Sequence, residues 1–70
     1  MFAIYNCDTD RYVSGITRKV RSPLHLVGTS PDESRALLYR DEDRAQEMME
    51  RLMDEGALHG DAYRVIEVDV

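Results

Sequence analysis

Apolar side chains recur as Ala45, Met48, Met49, Leu52 and Met53, the i, i+3, i+4 spacing that lines one side of an α-helix and leaves the other polar. Two readings of the chain before this stripe are available. In one, a continuous helix runs from Pro31 to Glu55. In the other, a short turn and a small strand, Ala36-Leu37-Leu38-Tyr39, precede a second helix capped by Asp41 or Asp43. Extended backwards, the stripe meets Asp41 and Glu42 where apolar side chains are needed, which favours the second. Gly56 suits the left-handed residue just beyond the helix, whereas Asp54 and Glu55 oppose the macrodipole there and should fray its last turn. A single amphipathic helix must bury its stripe on another layer, and the rest of the chain reads as strands.

Phe2-Ala3-Ile4-Tyr5-Asn6-Cys7 and Arg11-Tyr12-Val13-Ser14-Gly15-Ile16-Thr17 have aromatic and β-branched content around the polar turn residues Asp8-Thr9-Asp10, the pattern of a hairpin. Cys7 is expected as a small buried strand residue. Between Arg18 and Thr29 the pattern is broken by Pro23, with Leu24-His25-Leu26-Val27 as a short edge strand before Gly28. Ser30-Pro31-Asp32-Glu33 reads as a capping box with Ser30 as the N-cap and starts at least one helical turn. In Ala62 to Val70, Ile66, Val68 and Val70 alternate with Glu67 and Asp69, so a final strand should present Ile66 and Val68 to the helix. The expected fold is α+β, a small, mainly antiparallel sheet of three to four strands with one helix on one face, in the order ββ(β)αβ, as a single domain over residues 1–70.

At 70 residues, one core supplies only a few kcal/mol beyond chain entropy, so a homodimer or a tight partner is an expected source of stability. The apolar fraction of 43% with 33% charged residues belongs to folded chains. No apolar run approaches the roughly 20 residues that span a bilayer, and Asp8 and Asp10 interrupt a signal-peptide reading, so a cytoplasmic protein is expected.

Charge is divided unevenly. Residues 1–40 carry a net +2 and residues 41–70 a net −7, giving the formal −5. This balance argues against generic affinity for nucleic-acid backbones, which need Lys and Arg, and points to partners with basic surfaces. Asp43, Glu47, Glu50 and Asp54 recur at i+3 and i+4 along the polar side of the helix, partly offset by Arg44 and Arg51. Their spacing of about 5–6 Å per step is close to the roughly 7 Å between phosphates along a strand, so a nucleic-acid-binding cleft is a candidate partner. Arg18, Lys19 and Arg21 are the alternative ligand-binding residues, placed to hold a phosphate or carboxylate.

Enzyme motifs are missing from the sequence. Glu67-Val68-Asp69 lacks the lysine two residues on that the acidic strand of a nuclease carries. The four glycines are scattered as turn and cap residues and make no phosphate loop, and His25 and His59 have no triad partners in the sequence. One cysteine with two histidines makes no metal cluster. No catalytic residue, metal or cofactor is therefore expected. Tyr5, Tyr12, Tyr39 and Tyr63 invite base stacking, but two or three of the rings packed in the core with their hydroxyls at the edge is the simpler expectation.

The arrangement of Ile4-Tyr5-Asn6, Arg11-Tyr12-Val13, Ser30-Pro31-Asp32-Glu33-Ser34-Arg35-Ala36, Leu38-Tyr39, Glu42-Asp43-Arg44-Ala45 and Tyr63-Arg64-Val65-Ile66-Glu67-Val68 resembles a recurrent type of small phage and prophage protein. The chain is also similar in size, acidity and βαβ content to some anti-CRISPR proteins. The resemblance implies a non-enzymatic anti-defence inhibitor, acting in the host-cell cytoplasm by binding a basic surface on a larger host protein. The alternative is a dimer that sequesters a small anionic ligand or nucleotide through Arg18, Lys19 and Arg21.

Overall fold

The computed structural model of the chain describes residues 1–18, 25–60 and 62–69, with Arg18 placed by its backbone. The elements are β1 (Phe2–Asn6), β2 (Arg11–Arg18), β3 (His25–Ser30), a 3-10 turn (Glu33–Arg35), α1 (Glu42–Asp54) and β4 (Tyr63–Glu67). The strands form one open antiparallel sheet in the order β3-β2-β1-β4, and α1 lies on one face, the α+β layer expected from the sequence.

The β1–β2 loop closes through side-chain chemistry. Asn6 Oδ1 accepts from the backbone N–H groups of Asp8 (2.9 Å) and Thr9 (3.2 Å), and Asp10 takes the left-handed conformation, φ 53°, that Asp tolerates. Cys7 is a correction: it is the exposed first residue of this loop, not a buried strand residue. The strand ends at Asn6 because that side chain begins the turn.

Beyond Tyr5↔Tyr12 the two arms of the hairpin part, and residues 37–39 enter the gap. The Leu37 N–H donates to the Val13 carbonyl (2.9 Å), and Phe2 and Tyr39 exchange both backbone hydrogen bonds (2.7 and 2.8 Å). The expected strand at Ala36–Tyr39 is thus a single bridge that satisfies the strand edges it separates.

Three further details differ from the sequence reading. The N-cap of the turn after β3 is Asp32, whose Oδ1 accepts from the Ser34 N–H (3.0 Å) and hydroxyl (2.8 Å), while Ser30 Oγ only supports the Asp32 N–H (3.1 Å). Glu33 is then the first helical residue and not the third, so no capping box forms and the turn ends at Arg35. Next, β3 runs on past Gly28 to Ser30, and Leu24 lies outside the described residues. Finally, pairing of β2 with β3 steps from Val13↔Thr29 to Gly15↔Gly28, leaving Ser14 as the extra residue of a bulge. The bulge resets the alternation, so Val13 and Ile16 both face the helix despite their odd spacing.

The core gathers Ile4, Val13, Met49, Leu52 and Leu58, with Ala45 also fully buried at the sheet side of α1. The helix ends in a Schellman motif about Gly56 (φ 78°): the Gly56 N–H donates to the Met53 carbonyl (3.1 Å) and the Ala57 N–H to that of Leu52 (2.8 Å). The phase of β4 is another correction. Tyr63 and Val65 pack on the core, so the helix covers their side, whereas Ile66 pairs with Ala3 on the other. Both alternate sets in β4 contain large apolar residues, so alternation alone did not select one. Ala3 and Ile4 point to opposite faces yet are both fully buried; Val68 is buried too and shares a shallow groove with Leu38, Glu33, Ser34 and Asp69.

Candidate functional site

The orientation of α1 follows from its buried residues. With Ala45, Met49 and Leu52 against the sheet, the opposite side of the helix must face solvent. At about 100° per residue, Asp43, Glu47, Glu50 and Asp54 fall within roughly 60° of one another on that side. All four are exposed. The structure therefore brings the four proposed partner-binding carboxylates together in one stripe.

These carboxylates are little engaged. Among the described residues, the hydrogen bond reaching them is from Gln46 Nε2 to Glu50 Oε1 at 3.4 Å, long for its kind. Arg44 Nε lies 3.8 Å from Asp41 Oδ2, an exposed pair that stabilises the helix little. Within Glu42–Asp54 there are five carboxylates and two arginines, leaving a net −3 on the helix. Arg44 and Arg51 border the stripe on its Met48 side and share a groove of about 420 Å³ with Tyr39, Glu47 and Met48. Every lining side chain is exposed or only half-buried, so the groove lacks the enclosure of a small-molecule site. Met48 and Met53 are half-buried at the two edges of the apolar stripe, while Met49 is in the core.

The alternative basic site is not assembled among the described residues. Arg18 ends β2 by its backbone, and Lys19 and Arg21 lie outside the described residues. Glu67 and Asp69 are exposed, and among the described residues no group of three or more His, Cys, Asp or Glu is placed to hold a metal ion. No described helix is long and apolar enough to cross a membrane.

Sequence reasoning missed one ion pair. At the end of α1, Glu55 Oε1 accepts from the His25 backbone N–H (3.0 Å) and lies 2.5 Å from His25 Nδ1. The hydrogen bond from the His25 ring, reinforced by the backbone donor and by the charges of His25 and Arg51, holds the Glu55 carboxyl below its ordinary value against the opposing effect of burial. The carboxylate expected to fray the helix end instead ties it to β3. Thirty positions separate the two residues, so local spacing carried no signal. His59 is exposed.

The tyrosines divide between the faces. Tyr39 and Tyr63 pack on the core, and burial raises the Tyr39 phenol above its ordinary value. Tyr5 and Tyr12 are cross-strand partners with ring centroids 4.9 Å apart. The Tyr5 hydroxyl donates to Asp10 Oδ1 (2.5 Å), and that hydrogen bond, with lesser contributions from desolvation and neighbouring charge, pushes its pKa up to about 12.

No protein family matches the chain, and comparison with curated proteins and with solved structures finds no similar one.

Proposed function

We propose that this chain is a non-enzymatic binding protein that occupies a basic surface on a larger protein through the outward side of α1. The observation that carries this reading is the exposed, little-engaged stripe of Asp43, Glu47, Glu50 and Asp54 on a helix whose opposite side is locked into the core. Charge would steer the encounter, and half-buried Met48 beside the stripe would add apolar contact that slows dissociation. The mode of action is occlusion: a cleft that binds nucleic acid would be filled by carboxylates spaced much as phosphates are. The narrower reading, an anti-defence inhibitor of the anti-CRISPR kind acting in the host cytoplasm, is supported by the resemblance in size, acidity and element order.

The test is a pull-down of tagged protein from host lysate at low and moderate salt, with bound proteins and small molecules identified by mass spectrometry. Stoichiometric capture of a nucleic-acid-binding protein that salt releases is the expected result, because exposed charges are screened over about 8–10 Å at physiological salt. Recovery of the protein with a bound anionic metabolite and no partner would overturn it in favour of Arg18, Lys19 and Arg21.

A further inference from the structure

Among the described residues, the outer edge of β3 is capped at both ends by side chains and open between them. In an antiparallel ladder, successive residues turn their N–H and C=O groups alternately toward and away from the neighbouring strand. The His25 N–H donation and the direction of the Val13 carbonyl fix which β3 groups point outward, and the Arg11 side chain reaches the Thr29 carbonyl from β2. The His25 N–H donates to Glu55 Oε1 (3.0 Å), and the Thr29 carbonyl accepts from Arg11 Nη2 (3.0 Å). Across β2, the Val13 carbonyl, on the residue opposite Thr29, turns away from β3 to accept from Leu37. The outward set on β3 is therefore His25, Val27 and Thr29. Among the described residues nothing bonds the His25 carbonyl, the Val27 N–H and carbonyl, or the Thr29 N–H.

We propose that the chain self-associates by antiparallel pairing of β3 with β3 of a second copy, two-fold about Val27. In that register the Val27 N–H and carbonyl meet the same groups of the second copy, and each Thr29 N–H meets the other copy's His25 carbonyl. The open groups are used, and the two capped groups keep their side-chain partners. The two sheets become one continuous sheet across the junction, with both α1 helices on the same face.

Side-chain complementarity selects a second copy as the occupant. On the face away from the helix, the two-fold places Leu26 opposite the second copy's Gly28. Leu26 is 57% exposed, one of two large apolar side chains so exposed among the described residues. Gly28 pairs with Gly15, which makes a bare strip of backbone beside it. A Cβ on Gly28 would meet only ordinary contacts within the chain, Ser14 Oγ at 3.5 Å and the Gly15 carbonyl at 3.9 Å, so the fold itself does not require glycine there. A leucine laid across it from another copy gives the glycine a reason. The strand itself also lacks the charged residues that guard an edge against pairing: β3 carries no Asp, Glu, Lys or Arg, whereas the opposite edge, β4, presents exposed Arg64 and Glu67. This inference is independent of the acidic stripe, which lies on the far side of α1.

The test follows the mass of the full chain by sedimentation velocity from micromolar to millimolar concentration, for the wild type and Leu26→Lys. A wild-type dimer that Leu26→Lys converts to monomer, with unchanged thermal melting at low concentration, is expected. A monomer throughout, or a dimer indifferent to Leu26→Lys, overturns the proposal. Register is read by cross-linking in a Cys7→Ser background. In this pairing positions 26 and 28 of opposite copies have Cα atoms about 4.5 Å apart, within the 4.4–6.8 Å range of disulfides. Mixing Leu26→Cys with Gly28→Cys should therefore give an oxidised heterodimer, while either variant alone stays uncross-linked. Cross-linking of Leu26→Cys with itself in preference to the mixture refutes the register.

Discussion

Replacing Leu52 with alanine measures whether α1 is oriented as described, since the same rotation that buries Leu52 turns the acidic stripe outward. Leu52 is fully buried and touches a core of Ile4, Val13, Met49 and Leu58 drawn from two strands, the helix and the segment after it. Alanine keeps the helix propensity and the backbone carbonyl that accepts from Ala57 and Leu58, so the loss is one of packing. Removing a fully enclosed leucine side chain costs about 2.7–5 kcal/mol, depending on how far the site collapses. A 70-residue domain at roughly 0.05–0.15 kcal/mol per residue has about 3.5–10 kcal/mol in all, so the variant should lose about a quarter or more of its stability. At about 4–8 °C per kcal/mol for domains of this size, the melting temperature should fall by at least about 11 °C. The assay is urea and thermal unfolding by circular dichroism at one fixed protein concentration, since self-association would otherwise move the midpoint. Glu50→Ala, on the outward stripe, is the control and should stay within about 0.5 kcal/mol of wild type. A Leu52→Ala variant within about 1 kcal/mol of wild type, or a Glu50→Ala variant equally damaged, would refute the assigned rotation of the helix.

Two further outcomes follow from local geometry. Gly56→Ala should destabilise by about 1–2 kcal/mol, because φ is 78° there and the strain does not depend on the open space around the position; Gly15→Ala, equally open but without a positive φ, should not, and unfolding midpoints compare them directly. The His25–Glu55 contact should appear in the acid limb of the stability curve. Because the folded Glu55 carboxyl lies below its ordinary value, its contribution is present above the ordinary glutamate range and is lost as pH falls through the depressed folded value; Glu55→Gln should flatten that limb, as read from melting temperature against pH.

The element order, the helix with its break before Asp41, and the glycine at its end were legible because each depends on neighbours a few positions apart. The exposed stripe of Asp43, Glu47, Glu50 and Asp54 was legible for the same reason, since it is the complement of the apolar one. What was hidden depends on contacts distant in sequence or on a choice between equal patterns. The Ser14 bulge shows only as an odd spacing of Val13 and Ile16, and its sense becomes clear once β3 is laid beside β2. In β4, Tyr63 and Val65 compete with Ile66 and Val68 for the helix side, and the register with β1, which sets Val65 against Ile4, decides between them. Cys7 has the composition of a strand residue, but Asn6 begins the turn first. Glu55, judged only against the helix dipole, looked destabilising until His25 arrived from the far edge of the sheet.

The measurement that bears most directly on the central claim is the affinity of the captured basic protein for wild type and for the double variant Glu47→Lys/Glu50→Lys, at low and at physiological salt, with melting temperatures taken alongside. Both side chains are exposed and outside the core, so melting should be unchanged. With close charge pairs across an interface coupled by about 1.5–7 kcal/mol, reversing two of them should weaken binding by about 100-fold or more, with the larger difference at low salt. Equal affinity of the two proteins at both salt concentrations would contradict the account and leave the acidic side of α1 as a solvated surface.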